Sequence, residues 1–379
     1  MDFGLNEDQE TLAKYARDFL TNECPTSFVR RVMDLETAHD SGFYAHMAGL
    51  GWMGIAIPEE FGGQGMSYVD LAVLLEEMGR AVVPGPFFAS VCLAAPLVLE
   101  AGSTEQKRSI AGGIASGERI ATVAYTEAAG RLDAQGIEMS ARQDGGAFVL
   151  NGAKQFVLDA HVADTLLVAA RTSADGPATD GVTLFVVDAG APGVAITQQQ
   201  TMDSTRRWCE VTFTNASVGS DAVLGEVGDG WRPLERSLQR SIAMLCAECV
   251  GGAQQVLDLS VAYARERVQF GRPIGSFQAV KHKCAEMLVD VELARSAMYY
   301  AAWAAPEDAQ ELALAASIAK AHCGEAFTRV ASGGIHVHGG IGFTWEHDLH
   351  LYFKRAKVNE AFLGDAAYHR ELVAQLVSA

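Results

Sequence analysis

Two segments of this chain carry residue types suited to an anionic ligand. The first is Tyr263-Ala-Arg-Glu-Arg-Val-Gln-Phe-Gly-Arg-Pro-Ile-Gly-Ser-Phe-Gln278. A helical pattern ends in Arg265 and Arg267, and the chain then turns through Gly271, Pro273 and Gly275. Cations at a helix C-terminus complement the macrodipole, so the arginines have a structural use. Phe270, Gln278, Lys281 and Lys283 nearby suggest a nucleotide instead, with guanidinium on pyrophosphate and a ring against the base. Spacing alone leaves both readings open. The second segment is Gly333-Gly-Ile-His-Val-His-Gly-Gly-Ile-Gly-Phe-Thr-Trp-Glu346. Its glycines would let backbone N–H groups approach a phosphate, although a plain helix-ending turn reads the same way. His336 and His338 have no acidic or thiol partner at a ligand spacing, so no metal site is expected.

The elements that must position these segments fall into three regions. Residues 1–118 read as helices with short breaks: Leu12, Tyr15, Ala16 and Phe19 recur at helical spacing, as do Leu71, Leu74, Leu75 and Met78. Pro58 to Gly65 is a loop by its Pro and Gly content, and Ser103-Thr-Glu-Gln106 is a capping box. Residues 119–225 hold short β-type runs at 147–150, 165–169, 182–187 and 209–213, punctuated by Asp144-Gly145, Asn151-Gly152 and Asp180-Gly181. This is a β domain, a barrel or sandwich, with no helices of the kind a Rossmann unit needs. Residues 226–379 return to helix, with patterns from Ile242 to Arg267, about Phe277 to Trp303 and about Glu307 to Gly333, which suit an antiparallel bundle.

The formal charge of the 379-residue chain is −18, and 49% of its residues are hydrophobic. Those values exclude a disordered polyelectrolyte and argue against a nucleic-acid binder. Most of the acidity lies in the N-terminal region, which carries −10, against −5 for the β region and −3 for the C-terminal region. A local anion pocket is therefore compatible with the total. The seven cysteines are odd in number, and Cys246 and Cys249 sit within a helical pattern, so core thiols are expected rather than disulfides or a zinc site. The N-terminus from Met1 is acidic and lacks a signal-peptide pattern. No uninterrupted apolar run of about 18 residues occurs, so no membrane span and a cytoplasmic location are expected.

Together these segments resemble the acyl-CoA dehydrogenases, flavoproteins that oxidise acyl-CoA thioesters to trans-2-enoyl thioesters. The resemblance rests on Gly51-Trp-Met-Gly-Ile-Ala-Ile-Pro-Glu-Glu-Phe-Gly-Gly63, Tyr125-Thr-Glu127, Asn151-Gly-Ala-Lys154, Arg267-Val-Gln-Phe-Gly271 and His338-Gly-Gly-Ile-Gly-Phe343. It implies an α+β fold with an N-terminal helical domain (1–118), a middle β-barrel domain (119–225) and a C-terminal four-helix bundle (226–379). It also implies FAD, an acyl-CoA substrate, a tetramer and an electron-transfer flavoprotein as acceptor. Each FAD would be shared between subunits. Arg267 would meet the pyrophosphate, with Gln269, Phe270, Gln278 and His336 along the cofactor and Gly339 and Gly340 giving close backbone approach. His336 stands where the family usually has Gln.

The flavin-ring half resembles the family less. Thr126 and Asp133 match, but the family's Gly-Ser pair falls on Arg131 and Leu132. The aromatic after Asn-Gly-x-Lys is Phe156, whereas the hydroxyl that would face flavin N5 is replaced by Leu158. The family's catalytic carboxylate, which must sit in a dry pocket to take an α-proton, falls on Leu363 or, in some members, on Ser241. Two substitutes are Glu248, two turns along the helix face from Ser241, and Glu360, three residues before Leu363. Each has an alternative as a structural residue, Glu248 buried and hydrogen-bonded, Glu360 at the surface or ion-paired. Three expectations follow: a non-catalytic subunit of an α2β2 heterotetramer, as in actinobacterial members acting on steroid side-chain CoA thioesters; a self-sufficient homotetramer using Glu248 or Glu360; or a flavin-free acyl-CoA-binding or assembly protein. The small residues Gly251 and Gly252 would give room for a bulky acyl group, or would serve helix packing.

Overall fold

In the computed structural model of the chain, residues 4–306 and 309–378 are described. Met1, where the signal-peptide reading begins, and Glu307, the expected start of the third long helical pattern, lie outside them. The chain forms two compact units, one from Met1–Arg31, Tyr68–Val83 and Ile242–Ala379, the other from Val32–Ser67 and Pro84–Ser241.

The first unit is helical. Ala309–His338 packs against Gln278–Ala304, Leu349–Ala361 and Ala366–Ser378. With Trp231–Glu266 these make the expected four-helix bundle, its fourth member broken at Phe362–Asp365. Trp231–Glu266 is long and apolar enough to cross a membrane by composition, but 78% of its apolar window is buried, as in a core helix. The Tyr68–Arg80 helix crosses it with almost no separation. A side chain at Gly251 would overlap the Glu76 carbonyl oxygen, and one at Gly79 would overlap that of Glu248. Gly252 is covered by the Phe327 ring. Gly251 and Gly252 therefore serve packing, and the expected room for a bulky group is not there. Ionic contacts tie Tyr68–Arg80 to its neighbours: Arg80 pairs with Asp258 at 2.8 Å across the crossing, Arg295 pairs with Glu76, which also accepts from Tyr299 Oη at 3.2 Å, and Arg17 pairs with Glu77 at 2.5 Å. On the Glu7–Glu23 helix, Ala16 and Leu20 are buried, whereas Tyr15, expected on the same face, is exposed.

The second unit holds one eight-stranded sheet: β1 (Ala121–Ala124), β2 (Ser140–Asp144), β3 (Ala147–Leu158), β4 (Thr165–Arg171), β5 (Val182–Asp188), β6 (Val194–Gln199), β7 (Trp208–Gly219) and β8 (Val223–Leu224). The order is β6-β7-β3-β2-β4-β5-β8, with β1 on β4. β2 and β4 meet only at Ser140 and Arg171. Alternate residues from both sides of that junction, among them Phe148, Leu150, Val168, Phe185, Val211 and Phe213, fill one core. The expected barrel is thus present in its shared interior, while among the described residues no ladder joins β6 to β8 to close it.

Asn151-Gly152, expected as a turn, lies inside β3. There the register shifts, and Gly152 (φ +143°) leaves space for Met139. Beside the sheet, Phe88–Ala94 continues into Ala95–Ala101, its residues up to Val98 buried. The Ser103 capping box forms as expected: Gln106 N–H donates to Ser103 Oγ at 3.2 Å, and Ser103 N–H donates to Gln106 Oε1 at 3.0 Å.

Candidate active site

The arginine segment is a β-hairpin. Helix Trp231–Glu266 ends, Val268–Gln269 pairs with Arg272–Pro273, and Phe270-Gly271 forms the tip. Both tip residues have positive φ, +55° and +76°, as a primed two-residue turn demands. Glycine adopts that conformation freely; phenylalanine does not. The strained Phe270 is also 92% exposed, so its ring is held out into solvent. Arg267 and Gln278 are exposed beside it, and Gln278 opens the next helix. Arg272 is engaged locally, its guanidinium 4.1 Å from the Phe277 ring centroid.

The glycine segment divides into two roles. Gly333 and Gly334 are not part of a loop: they lie in the Ala309–His338 helix and pack against Met287 and against Val256 and Ser260. Gly342 packs on His338 and Ile335. Only Gly339, at φ +65°, and Gly340 face open space, with no atom within 4 Å of an added Cβ. Backbone at these two positions is accessible to a ligand. His336 is exposed one turn before them. The two segments meet through a contact that sequence spacing does not reveal: the His338 ring stacks on Tyr263 at 4.4 Å, with His347 at 4.7 Å. The Nδ1–H of His338 donates to the Gly334 carbonyl at 2.8 Å, and burial lowers its pKa.

The positions expected to face the flavin lie in the second unit. Thr126 is half-buried, and its carbonyl accepts from Gln155 N–H at 2.8 Å. Lys154, fully buried, donates to the Tyr125 carbonyl at 3.2 Å and to Glu127 Oε1 at 2.5 Å. Burial pushes this ammonium down to about 8 while Glu127 holds it up. One lysine thus clamps both neighbours of Thr126, which explains why the Thr-Glu and Asn-Gly-x-Lys motifs occur together. Next to it a bulge between Lys154 and Val157 turns Phe156 outward, 55% exposed at φ +53°. Leu158 is 1% exposed and brings no donor. Arg131 closes on its own neighbours, bonding Asp133 at 2.5 Å and Gln135 at 2.7 Å.

The positions for a base are all apolar or engaged. Leu363 is buried at φ +61°. Ser241 is buried, its hydroxyl donating to the carbonyls of Cys92 at 2.6 Å and Ser237 at 2.9 Å. Glu248 is buried and accepts from Arg355 at 3.0 Å and Asn359 at 2.9 Å on one oxygen. Glu360 accepts from Thr328 at 2.9 Å and Lys357 at 2.6 Å. The structural alternative describes both glutamates. Cys246 and Cys249 are buried free thiols, and burial raises the pKa of Cys249. Among the described residues no group of three His, Cys, Asp or Glu side chains is arranged to hold a metal.

A basic, aromatic hairpin beside an open glycine turn, on a helical bundle that follows a β domain in sequence, offers an anionic ligand a cation, a ring and open backbone. Family models agree along the chain: the acyl-CoA dehydrogenase N-terminal domain over residues 6–118, the middle domain over 122–216 and the C-terminal domain over 228–377. The chain belongs to the acyl-CoA dehydrogenase family, whose cofactor is FAD. It is 33% identical over 362 residues to acyl-CoA dehydrogenase IpdE2 of Mycolicibacterium smegmatis, covering 95% of this chain and 96% of that one. Butyryl-CoA dehydrogenase from Megasphaera elsdenii superposes with TM-score 0.93 at 26% identity, covering all of both chains. A chain of the ChsE4-ChsE5 complex from Mycobacterium tuberculosis does so with TM-score 0.90 at 30% identity, covering 100% of this chain and 99% of that one.

Proposed function

We propose that this chain is the subunit without a catalytic carboxylate in an α2β2 acyl-CoA dehydrogenase. It lends the pyrophosphate and adenosine half of an FAD site to a partner subunit that supplies the flavin-ring contacts and the base. The observation that carries this reading is the state of the four base positions: Leu363 and Ser241 cannot take a proton, and Glu248 and Glu360 are bound by Arg355 with Asn359 and by Lys357 with Thr328. A base must present its carboxylate to the substrate, and both glutamates are instead occupied as partners of cations, Glu248 of buried Arg355 and Glu360 of Lys357. The heteromeric arrangement is supported by the likeness to a chain of a two-component complex.

The cofactor halves fit unequally. Exposed Arg267 and Phe270 and the open backbone at Gly339 and Gly340 suit a diphosphate and an adenine, with Gln269, Gln278 and His336 as polar neighbours. At the ring half, Leu158 offers no donor and Arg131 is spent on Asp133 and Gln135. When bound, FAD supplies the hydride acceptor; this chain's part is to hold its distal half and to wall the site. The test is co-expression with a base-bearing dehydrogenase, followed by native mass spectrometry. A two-plus-two complex is expected. A fully active complex built from this chain alone would refute the reading.

A further inference from the structure

We infer that Tyr263 and His338 are positioning residues for the FAD diphosphate: their stacked rings fix the spacing between the Arg267 hairpin and the Gly339-Gly340 turn. The two segments leave different helices. Trp231–Glu266 and Ala309–His338 touch at Gly334, where an added Cβ would lie 2.4 Å from Val256 and 3.2 Å from Ser260 Oγ. Tyr263 and His338 stand about one turn further along each helix. Their ring centroids are 4.4 Å apart and their planes 24° from parallel, so the close contact continues to the ends of both helices.

The stack is held on both sides. The Nδ1–H of His338 donates to Gly334 O at 2.8 Å, which fixes the ring plane. His347 meets the same ring edge-on at 4.7 Å, and its Nδ1 accepts from Leu349 N–H at 3.2 Å. The glycine turn folds back onto His338: an added Cβ at Gly342 would lie 2.8 Å from the His338 Cβ. On the Tyr263 side, Arg267 N–H donates to Tyr263 O at 2.8 Å, and Arg267 O accepts from Ile274 N–H at 2.8 Å. The hairpin is therefore rooted in the helical turn that carries Tyr263. Residues 267–273 are all exposed, and a two-stranded ribbon has little stability of its own. A diphosphate gripped by a guanidinium on one segment and by backbone N–H groups on the other binds best when their spacing is set beforehand, because ordering them on binding costs affinity.

The inference rests on the proposed reading of Arg267 and Gly339-Gly340 as the diphosphate site. The test measures FAD affinity of the two-component complex by flavin fluorescence for Tyr263→Leu, Arg267→Ala and the double variant, with Tyr263→Phe as the variant that keeps the ring. Tyr263→Leu should weaken FAD binding roughly 3- to 10-fold, and Tyr263→Phe should stay within about twofold of the original chain. Arg267→Ala should cost less in the Tyr263→Leu background than alone, because the arginine is no longer held in place. Should Tyr263→Leu fail to assemble, His338→Leu removes the other ring and carries the same expectations. Unchanged FAD affinity on loss of the stack, or effects that simply add to that of Arg267→Ala, would overturn the positioning role. Unchanged affinity in Arg267→Ala alone would overturn the diphosphate reading on which it rests.

Discussion

Glu248 and Arg355 form an ion pair at 3.0 Å in which both side chains are 2% exposed. Asn359 donates to the same carboxylate oxygen, and Arg355 also reaches the Val83 carbonyl at 3.4 Å. The acid expected to serve from that helix face is thereby committed to joining helices. Glu248→Gln would leave a buried guanidinium uncompensated and should cost about 3 kcal/mol or more of stability. Denaturant melts measure this. Turnover per assembled complex should be unchanged, whereas a catalytic Glu248 would show the reverse pattern.

Gly251 gives a second stability prediction. Its missing side chain is the space occupied by the Glu76 backbone. Gly251→Ala must push the Tyr68–Arg80 helix away and should destabilise by about 1–3 kcal/mol, read as a lowered Tm. If the position instead opened onto acyl-binding space, the alanine would be tolerated and would shift chain-length preference.

The unequal cofactor halves predict unequal mutants. Arg267→Ala removes a charge-assisted contact and should weaken FAD binding by the complex roughly 10- to 100-fold, measured by flavin fluorescence on titration. Leu158→Thr places a hydroxyl at a ring site that, on the proposed reading, this chain does not complete, so FAD affinity should stay within about twofold. Full flavin retention by the Arg267 variant would remove that residue from the site.

His369 sets an acid limit. Burial pushes its imidazole from 6.5 to about 4, so it stays neutral in the folded chain after the unfolded chain has taken a proton. Its contribution is level above about pH 6.5, and stability falls as the pH drops from there toward 4, by about 3 kcal/mol in all. His369→Gln should flatten that limb in urea melts compared between pH 7 and pH 4.5. An unchanged slope would mean that the imidazole is accessible to protons in the native state.

The parts legible in the sequence were those set by local rules. Short β-type runs at 165–169 and 182–187, bounded by turn residues, became β4 and β5, and the Ser103 box capped its helix, because such runs and caps depend on neighbours in the chain. Asn151-Gly152 misled because the same dipeptide serves a turn or a bulge, and only the partner strand decides. The glycines at 333 and 334 misled for a similar reason: close helix contact and close ligand approach both demand a missing Cβ. That neither Leu363 nor Ser241 is a carboxylate was visible as residue identity. The grip of Lys320 on Glu360 and Gly364 and the stack of Tyr263 on His338 were not, since each joins residues far apart in sequence.

The most direct measurement is the FAD-to-chain ratio together with subunit composition in purified material. This chain alone should carry no FAD, and the two-component complex should carry FAD at fewer than one per chain. A homotetramer of this chain alone that binds one FAD per chain and oxidises acyl-CoA would contradict it.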